Sequence, residues 1–483
     1  MIINNRAKIV ATLGPASMAL ETIRALVEAG VDVFRMNFSH GSYEQHAQAI
    51  RWVRQVSEEQ RIPIAILGDL CGPKLRIGEV AGGEYAVKFG DEIALTSDVA
   101  DGSGGLFQIN VEEFAELANP GERILIDDGQ IEFEILRVEG SKVVCRVLNS
   151  GVIRPHKGVN LPDTTLPIPA LTEKDRRDMQ FAIEQGVDLL ALSFVRSADD
   201  IRLARDAADS YGGAEIPILA KIEKAEAVDA IEPILEAADG AMVARGDLGI
   251  EIPVELVPAA QKRIIRLCNF AAKPVITATQ MLDSMIRNPR PTRAEATDVF
   301  NAIQDGTDAV MLSGETAIGL YPVETVQMMQ RLASESERLY HLNGRKEMLL
   351  RGKGGPPVTQ SICHAAVEMA EELQLDCIIA PTCSGHTARH ISQFRPMAPV
   401  IAYSMHQRTV HQLCLSWGVS ARIMEPVRPD EAERSQADAL IKAVLRSAKK
   451  QGFIKPGNRA VVLGGLPFDQ PQITNFLRVI DIH

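Results

Sequence analysis

The chain has 483 residues, of which 46% are hydrophobic and 24% are charged, and its formal net charge at pH 7 is −12. This length predicts two or three domains, and the composition is ordinary for a soluble globular protein. The acidic balance argues against a nucleic-acid or membrane partner, so an anionic substrate would need local basic residues.

Nothing in the chain predicts export or a place in a membrane. No apolar run approaches the ~20 residues that span a bilayer. The amino terminus enters a predicted strand without a signal-peptide core. The seven cysteines are odd in number and scattered, and no pair has C-x-x-C spacing, which favours free buried thiols over disulfides or a zinc site. We therefore expect a cytoplasmic protein.

Eight short apolar runs, most of them followed by a helical pattern, predict a (β/α)8 barrel. Three runs precede Cys71 and five follow Pro169, which assigns residues 1–70 and 170–344 to the barrel. In chain order the runs are KIVATLG at 8–14, VDVFRMNFSHG at 31–41, IAILGDL at 64–70, DLLALSF at 188–194, ILAKIE at 218–223, GAMVARGD at 240–247, PVITATQ at 274–280 and AVMLSGET at 309–316.

The interruption of the barrel, residues 71–169, has the pattern of a small all-β domain. Its short alternating runs, such as YAVKFGDEIALT and IEFEILRVEG, are divided by turn signals such as DDG. Hinge-like residues stand at its two junctions: Gly72, Pro73, Pro162, Pro167 and Pro169. We interpret the insertion as a lid that closes over the barrel mouth and excludes water, and the alternative is a purely structural insertion.

The last part of the chain, residues 345–483, opens with a polar linker rich in glycine and proline. Helical patterns then alternate with the strand-like runs CIIAPT, PVIAYS and RAVVLGG, which predicts a smaller open α/β domain. The predicted fold class is therefore α/β: a (β/α)8 TIM barrel, an inserted small all-β lid domain and a C-terminal open α/β domain.

We expect the chemistry to be organised around residues 218–251. The segment reads as strand, helix and strand, with Pro233 marking a break or restart of the helix. Lys221 and Glu223 share a face where the first strand ends, and Asp247 closes the second strand. Two carboxylates there can hold Mg²⁺, and the lysine can stabilise a developing anion. The alternative is a plain Lys–Glu pair, which the cost of burying unpaired charge disfavours.

Other polar side chains stand where the remaining predicted strands end and where the lid joins the barrel. Arginine there suits bidentate contact with phosphate or carboxylate. Each residue alone could be a helix cap or a solvated charge, but together they place cations, hydroxyls and carboxylates at one rim. The set comprises Arg35, Asn37, Ser39, His40, Asp69, Lys74, Arg76, Lys157, Thr277, Thr279, Gln280, Ser313, Glu315 and Thr316.

Ten segments make the chain resemble the pyruvate kinase family, as a member of bacterial type. They are KIVATLGPAS, RMNFSHG, GDLCGPKLR, HKGVNLP, LTEKD, AKIEKAEAV, MVARGDLG, ITATQMLDSM, PRPTRAEATDVFNAI and DGTDAVMLSGETA. They span the barrel and touch both lid junctions, whereas the C-terminal domain matches mainly in pattern and in its PTCSGHTAR loop. The resemblance implies Mg²⁺-dependent phosphoryl transfer from phosphoenolpyruvate to ADP, giving pyruvate and ATP, which is the last step of glycolysis.

The resemblance also implies roles for the residues that carry the transfer. Glu223 and Asp247 would bind Mg²⁺, with Mn²⁺ as a possible substitute. Lys221 would stabilise the phosphoryl group as it passes to ADP, a reaction that demands positioning and charge neutralisation. Arg35 would contact the phosphate.

Further residues are assigned to the substrate and the nucleotide by the same resemblance. Gly246, Asp247 and Thr279 would contact the pyruvyl portion. Thr279 could relay a proton to the enolate through water, and the donor itself stays open. The nucleotide, with a second Mg²⁺, would lie between barrel and lid against Asn37, His40, Arg76 and Lys157.

Members of the family that depend on potassium hold the cation with groups matching Asn37, Ser39, Asp69 and the backbone of residue 70. They carry Thr at position 70 and Glu at position 74, whereas this chain has Leu70 and Lys74. An ammonium there can supply the charge of K⁺ and would repel a cation beside it. We therefore expect activity without K⁺, and the alternative is a solvated hinge charge.

A loop of the C-terminal domain resembles the effector site of regulated members. It joins a predicted strand to a helix expected to begin near Ala388, where N–H groups and hydroxyls can hold a phosphate. Members activated by fructose bisphosphate have a lysine in place of Cys383 and a basic anchor in a later loop, and GGLPFDQPQIT has none. We expect activation by a monophosphate such as glucose 6-phosphate, ribose 5-phosphate or AMP, and the alternative is a capped helix start without ligand. The loop consists of Thr382, Cys383, Ser384, Gly385, His386 and Thr387.

Two other functions stay open at this point. A Mg²⁺-dependent pyruvate or enolate aldolase-type barrel would use similar carboxylates but would need neither the lid nor Lys221. A catalytically dead barrel kept as a metabolite sensor would be expected to lose a metal ligand or the lysine.

The resemblance further implies a homotetramer.

Overall fold

The computed structural model of the protein describes residues 5–164, 168–342, 356–426, 436–468 and 473–483. Three features named above lie wholly or partly outside the described residues: the hinge candidate Pro167, the linker at 345–355, and residues 469–472 of the GGLPFDQPQIT loop. Over the described ranges, no helix has both the length and the apolar character that a membrane span requires.

The chain begins with three parallel strands, β1 (Lys8–Thr12), β2 (Val33–Asn37) and β3 (Ala65–Asp69), joined by helices α1 (Leu20–Ala29) and α2 (Tyr43–Gln60). Most residues of these strands are buried, because parallel strands are covered on both faces. Ser42 and Gln45 form a capping box at the start of α2. The polar RMNFSHG sequence therefore forms the end of β2 and the turn before α2, whose start the capping box holds in place.

Residues 70–164, which follow β3, form an insertion that is almost entirely β-structure, as predicted. Its six-stranded sheet has the order β11-β7-β8-β9-β5-β6, a second sheet pairs β10 with β4, and the insertion has its own apolar core. The elements are β4 (Tyr85–Val87), β5 (Glu92–Thr96), β6 (Leu106–Gln108), α3 (Phe114–Leu117), β7 (Arg123–Ile126), β8 (Ile131–Glu139), β9 (Lys142–Val147), β10 (Gly151–Ile153) and β11 (Val159–Asn160).

Five further parallel strands close the barrel in the order β1-β16-β15-β14-β13-β12-β3-β2. Each of the eight predicted runs contains one of its strands, so the barrel prediction is confirmed. The elements are α4 (Glu173–Glu184), β12 (Leu189–Leu192), α5 (Ala198–Ser210), β13 (Ile218–Ile222), α6 (Ala225–Asp229), α7 (Ile231–Ala237), β14 (Gly240–Ala244), α8 (Arg245–Glu251), α9 (Val257–Phe270), β15 (Val275–Ala278), α10 (Arg293–Gln304), β16 (Ala309–Leu312), α11 (Gly314–Ala317) and α12 (Pro322–Leu342).

The helix break expected at Pro233 is present, but it lies three residues earlier. Helix α6 ends at Asp229, and α7 begins at Ile231 after the non-helical Ala230. Proline has no N–H with which to bond the carbonyl of Asp229, so a continuous helix would lose that bond. In the first turn of α7 the missing N–H costs nothing, because such groups have no partner within the helix.

The C-terminal part is an open five-stranded sheet in the order β19-β18-β17-β20-β21, parallel except for β21. The open α/β prediction is confirmed. The helix after the CIIAP strand begins at His386, two residues before the expected position, because Gly385 takes the left-handed conformation before it. The elements are α13 (Pro357–Glu372), β17 (Cys377–Pro381), α14 (His386–Ser392), β18 (Val400–Ser404), α15 (Gln407–Gln412), β19 (Val419–Ile423), α16 (Gln436–Lys450), β20 (Arg459–Gly464) and β21 (Phe476–Asp481).

A buried arginine fastens the C-terminal domain to the barrel at the amino-terminal end of its strands. The Arg395 guanidinium donates to Asp308, just before β16, at 2.9 Å and to Asn269 at 2.7 Å. It also lies 5.0 Å from the ring centre of Trp417. Because this contact is at the opposite end of the strands from Lys221 and Glu223, the barrel mouth is left to the lid.

Candidate active site

The charged residues of β13 and β3 form one buried cluster at the carboxyl ends of the strands. The Lys221 ammonium lies 2.8 Å from Glu223 Oε1 and 3.2 Å from Asp69 Oδ1. The side chain of Lys221 is 11% exposed, whereas those of Asp69 and Glu223 are 1% and 2% exposed. The predicted association of Lys221 with Glu223 is therefore present, and Asp69 completes it.

A second cation, Arg35 at β2, joins the same cluster. Its Nε donates to Asp69 Oδ2 at 2.6 Å, and its Nη1 donates to Thr12 Oγ1 at 3.1 Å. Asp69 thus lies between two cations. An arginine fixed in this way can offer its remaining N–H groups to an anionic ligand at the mouth.

The electrostatics of the cluster favour a further cation beside Glu223. Burial lowers the pKa of Lys221, but the charges of Asp69 and Glu223 outweigh burial and leave that pKa above its ordinary value. Burial raises the pKa of Glu223, Lys221 opposes that rise, and repulsion from Asp247 adds to it, so the pKa of Glu223 stays above its ordinary value. A metal ion between the two carboxylates would relieve this repulsion.

The next two strand ends bring Gly246, Asp247 and Thr279 together. Helix α8 starts directly after β14, and the Gly246 N–H donates to Thr279 Oγ1 at 2.7 Å. Thr279 has a φ of 68°, which is the left-handed region that β-branched residues rarely adopt. Arg245 holds this bend by donating to the Thr279 carbonyl oxygen at 2.8 Å, while it pairs with Asp298 at 2.7 Å. The role of Arg245 was missed from the sequence.

Strand β12 ends in two residues that orient the cluster, and neither was singled out from the sequence. Ser193 Oγ accepts from the Lys221 ammonium at 2.6 Å and donates to the Leu70 carbonyl oxygen at 2.7 Å. The Phe194 N–H donates to Glu223 Oε2 at 2.9 Å, and Phe194 has a φ of 55°. The available signal was a polar residue closing the apolar run DLLALSF, where a strand-end serine can also be a simple cap.

A cavity of about 320 Å³ lies between the barrel mouth and the inserted domain. Arg76 Nη1 donates to the His156 carbonyl oxygen at 2.7 Å, and Lys157 pairs with Asp127 at 2.8 Å, so both cations are held on the lid side. Burial and neighbouring cations lower the pKa of His40. The candidate residues that line the cavity are His40, Lys74, Arg76, Lys157 and Asp247, whereas Asn37 lies outside the lining.

One carboxylate connects the inserted domain to the barrel beside this cavity. Glu251 Oε1, at the end of α8, accepts from Asn160 Nδ2 of β11 at 3.0 Å and pairs with the Lys224 ammonium at 2.8 Å. The Glu251 side chain is only 2% exposed. We call this set, Asn160, Lys224 and Glu251, the lid contact. It was missed from the sequence, because no local pattern relates Asn160 to Glu251.

The two junctions of the inserted domain meet at another buried carboxylate. Asp175 Oδ1 accepts from the Gly72 N–H at 3.0 Å, and its Oδ2 accepts from the Thr172 N–H at 2.9 Å. Gly72 has a φ of 69°, and a Cβ there would lie 2.5 Å from the Phe194 ring. Only glycine therefore fits at this predicted hinge position, and Asp175 joins the two chain segments that a lid movement would bend.

Comparison with known proteins decides the family. The model of the pyruvate kinase barrel domain matches residues 4–326, and that of the pyruvate kinase alpha/beta domain matches residues 360–480. A pyruvate kinase of Agrobacterium vitis is 44% identical over 485 residues, which cover 99% of this chain and 97% of the relative. One of Clostridium perfringens is 40% identical over 98% of this chain and 99% of its own length. The chain belongs to the pyruvate kinase family.

Membership of the pyruvate kinase family confirms the resemblance that the ten motifs indicated, and it supports a phosphotransferase. A relative of Bacillus licheniformis, also named pyruvate kinase, is 42% identical over 98% of this chain. The aldolase-type alternative is not favoured, because both family models and these relatives agree on one family.

The residues matched to the potassium site of pyruvate kinases lie together at the ends of β2 and β3. Asn37 Oδ1 accepts from the Ser39 N–H at 3.1 Å, and the Leu70 carbonyl oxygen accepts from Ser193. Lys74 is exposed and, within the described ranges, has no ion pair with Asp69. The charge of Asp69 is instead balanced by Arg35 and Lys221.

The loop matched to the pyruvate kinase effector site is partly engaged in internal contacts. Thr382 Oγ1 accepts from the Gly385 N–H at 3.0 Å, and the Thr387 hydroxyl contacts that of Thr474 at 2.8 Å. Ser384 and His386 line a cavity of about 950 Å³ between the barrel and the C-terminal domain. Sequence analysis of the loop missed the basic residues of this cavity: Arg205, Lys273, Arg389 and Arg408.

Proposed function

We propose that the chain transfers the phosphoryl group of phosphoenolpyruvate to ADP, giving pyruvate and ATP. The observation that carries the proposal is the Lys221 ammonium, held 2.8 Å from Glu223 at the mouth of a barrel of this family. Phosphoryl transfer needs fixed positive charge around a developing anion more than it needs covalent chemistry.

Glu223 and Asp247 would hold the divalent cation, Mg²⁺ or Mn²⁺. The described residues contain no group of three or more His, Cys, Asp or Glu side chains able to hold a metal. Two carboxylates alone suit Mg²⁺, which keeps several positions for water and substrate oxygens. When bound, the cation supplies charge neutralisation for substrate oxygens.

The remaining residues of the mouth act on the phosphate and on the pyruvyl portion. Arg35 binds the phosphate, while Lys221 holds a positive charge against the phosphoryl group during transfer. The Gly246 backbone and the Thr279 hydroxyl, already bonded to each other at 2.7 Å, orient the pyruvyl portion. Thr279 Oγ1 relays a proton through water to the enolate carbon, and the group that donates this proton stays open.

The nucleotide binds in the cavity between mouth and inserted domain. Arg76 and Lys157 bind its phosphates from the lid side and His40 from the barrel side. Asn37, at the end of β2, completes the proposed nucleotide-binding set. A second Mg²⁺ accompanies the nucleotide. Closure of residues 71–169 as a lid over residues 1–70 and 170–344 would exclude water and so protect the phosphoryl group from hydrolysis.

We also propose that K⁺ is dispensable. The supporting observation is that Arg35 and Lys221 already neutralise Asp69, with Leu70 and Lys74 in place of the Thr and Glu of potassium-dependent members. In those members, the positions that match Asn37, Ser39, Asp69 and Leu70 form the potassium site. Lys74, exposed at the mouth, supplies the positive charge that K⁺ would otherwise provide.

Regulation and assembly follow the family. A phosphorylated effector binds at Thr382–Thr387 in residues 345–483, with a monophosphate such as glucose 6-phosphate, ribose 5-phosphate or AMP preferred over fructose bisphosphate. The chain assembles as a homotetramer. It acts in the cytoplasm, a reducing compartment that suits seven cysteines without a disulfide, five of them buried.

An assay that couples pyruvate release to a second enzyme tests the function. Phosphoenolpyruvate with ADP and Mg²⁺ should give pyruvate and ATP in equal amounts, and omission of ADP should stop both. Glu223→Gln or Asp247→Asn should raise the Mg²⁺ concentration needed for half-maximal rate by about tenfold or more, because each removes a charged ligand. Glu232→Gln, at an exposed carboxylate of α7, is the control. Pyruvate release without ADP, or no turnover by the unmodified chain, would refute the proposal.

A further inference from the structure

The Lys221 ammonium is closely surrounded by protein groups. An ammonium carries three N–H groups. Three protein partners surround it: Ser193 Oγ at 2.6 Å, Glu223 Oε1 at 2.8 Å and Asp69 Oδ1 at 3.2 Å. Ser193 accepts a hydrogen bond from the ammonium and the two carboxylates pair with its charge, so a phosphoryl group has to compete with these partners for Lys221.

Two of the three partners are themselves fixed. Asp69 is 1% exposed and is also bonded to Arg35 at 2.6 Å. Ser193 is 1% exposed, and its hydroxyl proton is committed to the Leu70 carbonyl oxygen at 2.7 Å, so that its lone pair faces the ammonium. As a neutral group, Ser193 holds Lys221 without competing for a metal ion.

Glu223 differs from the other two partners, because a divalent cation needs the same carboxylate. It faces the negative charge of Asp247, and its other oxygen is held by the Phe194 N–H at 2.9 Å. A cation held by Glu223 and Asp247 would therefore compete with Lys221 for the Glu223 carboxylate.

We infer that Lys221 exchanges Glu223 for the phosphoryl group when the metal binds, and that Ser193 is the positioning residue that keeps the ammonium in place during this exchange. The inference rests on the proposed function. Ser193 makes no contact with substrate in this role and acts only through Lys221.

A double-mutant cycle on metal affinity tests the inference without turnover. Binding of Mn²⁺ is measured by electron paramagnetic resonance at pH 8, with no substrate, for the unmodified chain, Ser193→Ala, Lys221→Met and the double variant. Without Ser193, Lys221 depends more on its carboxylate partners, so Ser193→Ala should weaken Mn²⁺ binding by about tenfold, as expected for one hydrogen bond to a charged group. In the Lys221→Met background, Ser193→Ala should have no effect, because the coupling passes through the lysine.

The control removes a similar hydrogen bond elsewhere. The Ser57 hydroxyl donates to the Ile62 carbonyl oxygen at 2.7 Å, as that of Ser193 does to Leu70. Ser57→Ala should cost similar thermal stability and leave Mn²⁺ affinity unchanged. If Lys221→Met does not fold, as judged by circular dichroism, Lys221→Gln takes its place in the cycle.

Turnover gives a second readout. Ser193→Ala should lower kcat by about tenfold or more and change KM for phosphoenolpyruvate little, since the ammonium contributes mainly to the transfer itself. An equal effect of Ser193→Ala on Mn²⁺ affinity in both backgrounds, or no effect in the unmodified chain, would overturn the inference. Absence of turnover in the unmodified chain would instead contradict the proposed function, and the Mn²⁺ cycle would still be decisive for Ser193.

Discussion

The lid contact predicts how strongly one asparagine holds the inserted domain on the barrel. Asn160 Nδ2 donates to the nearly buried Glu251 carboxylate at 3.0 Å, and Lys224 pairs with the same oxygen at 2.8 Å. Lys224 and Glu251 both belong to the barrel, so of the two bonds in the lid contact it is the Asn160 bond that joins lid and barrel. A hydrogen bond to a charged group contributes about 1.5–3 kcal/mol, which corresponds to about one to two orders of magnitude in the open–closed equilibrium.

Asn160→Asp reverses the sign of this contact with almost no change of shape. It removes the donor and places a second carboxylate against Glu251. At 3 Å and an effective dielectric constant of ~20, the repulsion is about 5 kcal/mol before relaxation and the Lys224 charge reduce it. The closed-to-open ratio of the lid should therefore fall by at least about tenfold, and KM for ADP should rise by up to a similar factor.

Hydrogen–deuterium exchange without nucleotide measures the lid directly, and the coupled assay measures KM for ADP. Peptides that contain β11 and α8 should exchange faster in Asn160→Asp. The control is Asn149→Asp, since the Asn149 amide donates to the Gln130 carbonyl oxygen within the inserted domain. Glu251→Gln added to Asn160→Asp restores a donor–acceptor pair and should slow the exchange again. If both asparagine variants exchange alike, or if the double variant shows no recovery, the lid contact does not hold the lid.

Three further predictions concern the cation pocket, the effector loop and pH. Lys74→Glu should make activity depend on K⁺, because it replaces the local positive charge with a negative one. Equal rates in potassium-free buffer for this variant would contradict the proposed role of Lys74. Glucose 6-phosphate, ribose 5-phosphate or AMP should lower the half-saturating phosphoenolpyruvate concentration more than fructose bisphosphate does, and Ser384→Asp should abolish that effect by repulsion. Burial holds the pKa of His386 at about 4 and that of His390 at about 3, below the ordinary 6.5. At these two positions the unfolded chain binds more protons than the folded chain below about pH 6.5, so their contribution to stability should fall as pH decreases from about 6.5 towards 4. Melting curves should show a smaller acid loss in His390→Gln, and an unchanged loss would remove this histidine from the explanation.

The barrel and the cluster of Lys221, Glu223 and Asp247 were predictable because short stretches of sequence determine them. Lys221 and Glu223 stand two positions apart at the end of an apolar run, which fixes both their shared face and their place at the strand end. Asp247 was expected to close the following strand, but β14 ends at Ala244 and Asp247 lies in the first turn of α8. Parallel strands in a closed barrel bring these ends together, and this does not depend on the conformation of the connecting loops.

The residues that orient the cluster were not predictable, since they depend on strand register. Leu192 of β12 pairs with Ala220 of β13, so the next residue along each strand, Ser193 and Lys221, come side by side. No pattern within either run states that register. The sequence suggested Lys74 as the source of positive charge at the pocket that includes Asp69, and it did not reveal that Arg35 and Lys221 pair with Asp69 in the folded chain.

Helix α8 connects the two halves of the proposed chemistry. It begins directly after β14, so its first turn carries Gly246 and Asp247, the candidate substrate and metal groups. It ends at Glu251, the carboxylate of the lid contact. Residues four apart lie on the same face of a helix, which sets Asp247 and Glu251 one turn apart along a single rigid element. A shift of α8 on metal binding would therefore move the carboxylate that holds Asn160, and lid closure would in turn restrain the metal ligand. Position of the lid and affinity for the metal should depend on each other through these seven residues.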